Sequence, residues 1–516
     1  MIARFLTLRN IRRIYAIFFM LLFVLLLWLT SFRRMKGYET PFFLELDPLT
    51  AIASFLTSWT VYKGLALSLC VIIGTLFFGR FFCSWVCPLG IINQAAGSIF
   101  NKLRAADTIA LNAYRPLYRL KYYLLALLLV LAAFGSLQTG LLDPLSFVTR
   151  SFAVSVFPGI NQHGGWLYLK QPLFHGGTFL GLVFLAVLFA NRFLPRFWCR
   201  AICPLGALLG VFSSSPLVRV WRDVERCTDC KKCLAHCHGG CDPHAALRTT
   251  ECHLCMNCIE DCPEGALHYG LSGPSSSVHA PLDVNRRRLI ESALAGAAVF
   301  PIMRSTVTSK TSPRHRVIRP PGSIAEVDFL RRCLKCGECM RVCPTNAIQP
   351  ALLEAGFEGL WTPILIANIG YCEYNCVLCS RVCPTGAIAP LTVEKKLGKA
   401  TRSESARRVA PTGQKPVKIG TAFYDRGRCL PWAMNVDCIV CEEVCPTSPK
   451  AIWFENVEVP LRDGTRKVLK RPYIDPKLCI GCGICENKCP IRDRAGVRVT
   501  SIGETRSSVN QMILKS

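Results

Sequence analysis

The chain has 516 residues, 51% of them hydrophobic, with 61 lysines and arginines against 34 acidic residues and a formal charge of +27. No nucleic-acid-binding motif accompanies that charge, and many arginines flank apolar segments. The excess therefore reads as membrane topology signals plus a basic docking surface, which excludes a nucleic-acid partner. Thirty cysteines would mean disulfides in a small secreted protein, but here most recur in tight runs two or three residues apart, which points to metal ligation.

Residues 1–215 read as a membrane half. Ile14 to Phe32 is free of charge and long enough to span a bilayer. Arg4, Arg9, Arg12 and Arg13 precede it, which puts the N-terminus in the cytoplasm. No small-residue cleavage site follows, so the segment reads as an anchor and not as a cleaved signal. Further spans are expected at Tyr62 to Phe82, Tyr122 to Leu142 and Pro172 to Ala190, the second flanked by Lys63 and Arg80. Lys102, Arg104, Arg115, Arg119 and Lys121 mark the connection between spans two and three as cytoplasmic, in agreement with four crossings. Arg33, Arg34 and Lys36 in the first outer loop point the other way.

This half is an internal repeat. Phe81-Phe82-Cys83-Ser84-Trp85-Val86-Cys87-Pro88-Leu89-Gly90 matches Phe197-Trp198-Cys199-Arg200-Ala201-Ile202-Cys203-Pro204-Leu205-Gly206. Leu46-Asp47-Pro48-Leu49-Thr50 likewise matches Leu142-Asp143-Pro144-Leu145-Ser146. Each unit is expected to be a helix, an outer loop bearing Asp-Pro, a second helix, and C-x3-C-P at the inner end. Cysteines four apart share a helical face. Two such pairs joined by pseudo-symmetry make four thiolates: Cys83, Cys87, Cys199 and Cys203 either hold a further iron–sulfur centre at the membrane face or are redox-active or structural thiols. Asp47 and Asp143 have two readings as well. Asp before Pro commonly starts a turn or helix, while a carboxylate near an apolar interface suits a proton acceptor for quinol. None of the four spans holds a histidine, His163 and His175 fall in or beside the outer loop, and no C-x2-C-H occurs, so no haem is expected.

Residues 222–270 read as a cytoplasmic two-cluster ferredoxin unit. Its motifs are Cys227, Cys230, Cys233, Cys237 and Cys252, Cys255, Cys258, Cys262. In such pairs the fourth cysteine crosses to the neighbouring cube, which groups Cys227, Cys230 and Cys233 with Cys262, and Cys252, Cys255 and Cys258 with Cys237. No proline follows Cys237, and Cys241 lies close by, so either could be that fourth ligand. Residues 271–322 form a hinge, with the linker Gly273-Pro274-Ser275-Ser276-Ser277 and then Asn285-Arg286-Arg287-Arg288-Leu289-Ile290 leading into an apolar run to Phe300. This looks like an internal twin-arginine signal. The run is short for a span and contains Glu291, so residues 289–303 are either a fifth span or a cytoplasmic amphipathic helix.

Residues 323–516 carry four more motifs: Cys333, Cys336, Cys339, Cys343; Cys372, Cys376, Cys379, Cys383; Cys429, Cys438, Cys441, Cys445; and Cys479, Cys482, Cys485, Cys489. A proline follows the last cysteine of each. A zinc ribbon would want separated C-x2-C pairs instead. The pairing of these motifs, first with fourth and second with third or sequential, is open. The polar run from Glu394 to Lys418 reads as an exposed insertion. The fold class is thus a membrane α-helical half of four spans in two repeats, with the hinge as a candidate fifth span, plus two α+β ferredoxin-like iron–sulfur units.

The membrane half, with its two C-x3-C-P-L-G motifs and trailing ferredoxin, resembles the NapH-type subunit of periplasmic nitrate reductase systems. The second half, in which Arg319-Pro320-Pro321-Gly322 runs into Asp328-Phe329-Leu330 and the first cysteine motif, resembles NapG-type and MauM-type ferredoxins. The fusion departs from the separate subunits of that pair. The resemblance implies a quinol dehydrogenase that draws on the membrane quinone pool. Its six [4Fe-4S] clusters would pass electrons to a periplasmic redox protein, a c-type cytochrome or a reductase. Cluster potentials span about −700 to +450 mV, and many ferredoxin cubes lie below quinols, so these must be tuned upward or the current reverses. The alternatives are an electron-input protein serving a quinone or metal centre from a cytoplasmic donor, and a non-catalytic subunit of a larger respiratory complex. No Rossmann fingerprint appears, which argues against direct NAD use.

Overall fold

The computed structural model describes residues 7–30, 41–60, 65–102, 108–164, 174–271, 280–308, 317–398, 415–460, 464–491 and 493–511. Arg4, Arg33, Arg34, Lys36, Lys63, Arg104, the linker at 273–277 and most of the polar run at 394–418 lie outside these residues, as do the side chains of Lys102 and His163.

The helical half is two successive four-helix units. The first comprises α1 (Leu8–Leu29), α2 (Pro48–Ser58), α3 (Leu65–Phe78) and α4 (Pro88–Lys102). The second comprises α5 (Leu120–Ala133), α6 (Pro144–Ser151), α7 (Gly177–Ala190) and α8 (Pro204–Phe212). The Thr7 side chain caps α1 by accepting from the Asn10 amide, so this helix starts at Leu8 and carries Arg9, Arg12 and Arg13 on its first turns. Arg9 can sit there because Glu260 and Asp261 pair with it at 2.7 and 2.9 Å. The third predicted span stops at Ala133, short of Leu142, because Gly135 takes φ 89° and ends the helix. At 14 residues each, α3, α5 and α7 are about 21 Å long, less than the ~30 Å hydrocarbon layer. By length and composition, Leu8–Leu29 and the stretch Thr108–Ala133 are long and apolar enough to cross a membrane, among the described residues.

The Asp-Pro pairs do not lie in outer loops, as the sequence suggests. Asp47 and Asp143 are completely buried. Each is the N-cap of a helix whose first residue is proline: Asp47 accepts from the Leu49 amide at 3.0 Å, and Asp143 from the Ser146 amide at 2.7 Å. The pair of residues is a complete helix-start signal, and what it starts here is a short helix pointing into the bundle.

The two ferredoxin units cap opposite ends of the helical half. In the first, β1 (Arg219–Arg222) pairs antiparallel with β2 (Leu267–Gly270). This unit is held by Arg9 and by Trp85, which donates to the Leu254 carbonyl at 3.1 Å. Arg200 donates to the Cys237 carbonyl at 2.8 Å, and buried Lys121 pairs with Glu251. In the second, β3 (Ile348–Pro350) pairs with β4 (Pro363–Leu365), β5 (Thr421–Tyr424) with β8 (Val497–Thr500), and β6 (Ile452–Pro460) with β7 (Arg466–Ile474), all antiparallel. Its anchors are Arg341 to the Leu27 carbonyl (2.8 Å), Thr57 to the Arg331 carbonyl (2.8 Å) and Lys335 to Gln138 (2.6 Å). Arg9 and Leu27 stand about 27 Å apart along α1.

The hinge is one helix, α9 (Arg286–Thr308), 23 residues and about 34 Å long. It lies along α5 in the same direction. The Asn285 amide donates to the Tyr123 hydroxyl at 3.2 Å near the start, and Phe300 stacks on Phe134 at 5.4 Å near the end. It thereby leads the chain from the first ferredoxin unit to the second.

Candidate iron–sulfur sites and a buried carboxyl pair

The unvaried C-x2-C-x2-C motifs share one backbone device. The residues on either side of the middle cysteine take positive φ: Asp229 and Lys231, Leu254 and Met256, Lys335 and Gly337, Gly481 and Gly483. A non-glycine residue there costs roughly 1–2 kcal/mol. The return is a tight curl whose amide groups face inward, as suits an anionic group. The motifs beginning at Cys372 and Cys429, with their longer first gaps, show no such pair.

Five cavities are each lined by three cysteines of one motif and the fourth of its partner. Cys227, Cys230 and Cys233 meet Cys262, the grouping that the crossing rule predicts. In the second unit Cys333, Cys336 and Cys339 meet Cys383, while Cys372, Cys376 and Cys379 meet Cys343. Cys479, Cys482 and Cys485 meet Cys445, and Cys429, Cys438 and Cys441 meet Cys489. Pairing is therefore sequential, first with second and third with fourth, the alternative that the sequence left open. The proline after each crossing cysteine lines the same cavity: Pro263, Pro384, Pro344, Pro446 and Pro490. Several thiols also accept hydrogen bonds, Cys262 from the Ala266 amide (3.3 Å), Cys383 from Ile388 (3.4 Å) and Cys372 from the Lys396 ammonium (3.3 Å). Burial, more than any neighbour, pushes the thiols of Cys339, Cys379 and Cys485 well above the usual range. Loading such sets must release protons.

The remaining set of the first unit contains five thiols. Cys252, Cys255 and Cys258 lie with both Cys237 and Cys241, whose sulfurs are 3.4 Å apart. Cys241 also contacts Cys252, whereas Cys237 acts on Cys255 and Cys258 as well.

In the helical half the four predicted thiols of Cys83, Cys87, Cys199 and Cys203 come together, all buried. They are not stacked on one helical face. Cys83 belongs to a single turn (Phe82–Trp85), Cys199 to a π-helical turn (Trp198–Ile202), and Cys203 caps α8 by accepting from the Gly206 amide at 3.2 Å. Beside them lie Asp47 and Asp143, one from each repeat, both fully buried and close enough for each carboxyl to act on the other. Asp143 is within electrostatic reach of both Cys87 and Arg150, and Arg150 reaches Cys333 and Cys336 and donates to the Lys335 carbonyl at 3.0 Å. Beyond that, the Cys372 amide donates to the Cys482 carbonyl at 2.8 Å, joining the two halves of the second unit. The thiol sets thus follow one another in file, from the first unit through the helical half into the second.

Sets of four thiols standing back round a shared space fit a multi-iron cube; among the described residues no such group closes on one point as round a single ion. Arginines near the thiols escaped the motif reading, although a signal existed: Arg80 and Arg196 each stand three residues before the first cysteine of their repeat.

Comparison with known proteins agrees with this chemistry. A family described as a 4Fe-4S binding domain matches twice in the helical half, at residues 60–105 and 175–222, and a second of the same description matches at 329–349 and 472–492. The methylamine utilization ferredoxin-type protein MauM of Methylorubrum extorquens is 30% identical over 224 residues, 42% of this chain and 90% of MauM. YccM of Escherichia coli is 31% identical over 216 residues, 40% of this chain and 56% of YccM, so the chain spans little more than half of that relative. The ferredoxin-type protein NapG of Haemophilus influenzae is 28% identical over 220 residues, 42% of this chain and 71% of NapG. No solved structure matches. The class is an iron–sulfur electron-transfer protein of ferredoxin type. Within it, the chain belongs to the MauM-type ferredoxin family.

Proposed function

We propose that this is a multi-pass inner-membrane protein that oxidises quinol in its helical half and delivers the electrons to a periplasmic redox protein, a c-type cytochrome or a reductase. The two ferredoxin units would hold six [4Fe-4S] clusters on their motif cysteines, and Cys83, Cys87, Cys199 and Cys203 a further centre. Clusters at these positions supply one-electron steps. The chain's own part is to keep the sites in file, dry and hydrogen-bonded, and to take up the protons that quinol sheds. Asp47 and Asp143 are the candidates for that uptake, because two buried carboxyl groups that act on each other can change their proton count when charge nearby changes. The first unit would face the cytoplasm and the second the periplasm, with α9 carrying the chain across. The observation that carries the reading is the file of thiol sets, which continues through the helical half between units on opposite ends.

A second reading has its own support. The file does not stop at the helical half but runs on through the first unit to the exposed Cys230. Electrons from a cytoplasmic donor would arrive there and leave toward a quinone or metal centre. Stopped-flow reduction of the purified, cluster-loaded chain separates the two. Quinol should bleach the clusters, and Asp47→Asn and Asp143→Asn should slow this tenfold or more. Unchanged rates in both variants would remove the carboxyl pair from the mechanism. Clusters inert to quinol but reduced by a low-potential ferredoxin would leave the second reading standing.

A further inference from the structure

The end of the helical half that meets the first ferredoxin unit buries more positive charge than its own carboxylates can balance. Arg12, Arg80, Lys121, Arg196 and Arg200 are all at most 2% exposed there, and among the described residues Glu251 is the fully buried carboxylate beside them, shared by Arg80 (3.7 Å) and Lys121. Arg12 and Arg196 have no acidic partner among the described residues. Both donate to the same two neutral groups: Arg12 to Ser84 (3.1 Å) and Gln94 (2.8 Å), Arg196 to Ser84 (3.4 Å) and Gln94 (2.8 Å). Two further nitrogens on each guanidinium meet no acceptor. Like charges held side by side out of water are costly unless an anion compensates them.

The position identifies that anion. Ser84 follows Cys83, and Arg196 precedes Cys199 by three residues, so the pair joins the thiol turns of the two repeats. Arg196 acts on Cys199 and Cys83; Arg12 reaches the Cys83 turn through Ser84, and both arginines also act on Cys255 of the adjoining ferredoxin set. Arg80, the repeat counterpart of Arg196, has its Nη2 4.0 Å from the Cys83 sulfur. A four-iron cube on four thiolates is a net anion and gains one more negative charge when reduced.

We propose that the Arg12–Arg196 pair is the fixed counter-charge of the centre on Cys83, Cys87, Cys199 and Cys203 and raises its reduction potential into reach of a quinol donor. The inference rests on that centre's existence, part of the function proposed above. A cation in a low-dielectric site favours the more negative redox state, and charge near a cluster is a recognised control on its potential.

The test is an EPR-monitored redox titration of the full-length, detergent-solubilised chain. Cys83→Ser and Cys199→Ser first identify the signal of the centre; if neither removes iron or any signal, the underlying centre is absent and the earlier reading fails. With the signal assigned, Arg12→Gln and Arg196→Gln should each lower its midpoint by at least the 59 mV of a tenfold change in a one-electron constant. Arg196→Lys, which keeps the charge, should stay near the parent value, and the signals of the second ferredoxin unit should not move. Unshifted midpoints in both Gln variants, or a Lys variant that shifts as far as Gln, would overturn the proposal. Should a Gln variant lose the centre entirely, its retention in Arg196→Lys supports the charge role, and loss there as well counts against it.

Discussion

At Gly90 a hydrogen in place of a side chain lets α4 close against the Cys83 turn. A β-carbon there would lie 2.2 Å from the Cys83 carbonyl oxygen, with no flexible group to give way. Gly90→Ala must push α4 off the Cys83 turn, so iron bound by the helical half should fall while the ferredoxin-unit signals persist. Gly97, on the same helix with open space around it, is the control, and its alanine variant should be neutral or slightly stabilising. A second residue-scale prediction concerns Glu326. Burial alone would raise its pKa, but Arg319 at 2.6 Å and Arg506 at 2.5 Å overcome this and hold it at about 2. A depressed carboxyl stabilises the fold above its unfolded value and loses that contribution as pH falls. The pair of arginines is therefore worth on the order of 3 kcal/mol at neutral pH, declining from about pH 4.5 toward 2. The urea-midpoint gap between the parent and Glu326→Gln should be full at pH 7 and shrink below pH 4.5; a gap constant across that range would refute the assignment. The cysteines that line the five cavities were legible residue by residue, because each motif packs three of them into one short stretch of chain. Arg12, Gln94 and Lys335 were not, since each matters through partners more than 70 residues away.

Among the elements, the long, uniform α1 was the one the sequence announced best, though its start was misjudged because Glu260 and Asp261 neutralise an arginine that hydropathy counts as outside. The Asp-Pro segments were placed in outer loops, but a helix start was one of the two readings of Asp before Pro, and that is the one the structure bears out. The same two residues are an N-cap and first-turn pair, and only the apolar surroundings of α2 and α6 decide between these roles. Helix α9 was hardest to read. Its arginines and Glu291 dilute the apolar run, yet the helix extends over 23 residues because α5 offers it a matching face. The helices come close at Gly296, where a β-carbon would stand 2.9 Å from the Leu127 carbonyl. Gly296→Leu should therefore pry α9 from α5 and cost about 1–3 kcal/mol. Amide hydrogen exchange along α9 should accelerate, while the iron content of both ferredoxin units stays intact. Equal exchange rates in variant and parent would show that the α5–α9 contact does not hold the hinge.

For the molecule as a whole, what matters is which solvent each ferredoxin unit meets. The opposite-end arrangement was only half legible, since hydropathy located apolar segments but gave no account of how two units separated by one hinge could straddle them. Three contacts now tie the second unit to the helical half: Leu27 and Thr57 at the far ends of α1 and α2, and Gly140 in the turn between α5 and α6, whose bare backbone lies so close to the Leu334 carbonyl that a β-carbon would be 2.0 Å from it. The first unit is tied to Arg9, Arg80 and Lys121 at the near ends. If the bundle lies across a bilayer, these two sets of anchors cannot share one aqueous side, and α9, at about 34 Å, is long enough to connect them. Reporter fusions make this decisive. A reporter joined after Leu271, replacing everything beyond, should be active only as a cytoplasmic fusion, and one joined after the last residue only as a periplasmic fusion. Changing Arg287 and Arg288 to Lys should abolish the periplasmic C-terminal signal if export of the second unit depends on the paired arginines, and leave it intact if α9 inserts together with the other helices. Both reporters on one side of the membrane would remove the transmembrane arrangement, and with it any route from a membrane quinol to a periplasmic acceptor through this chain.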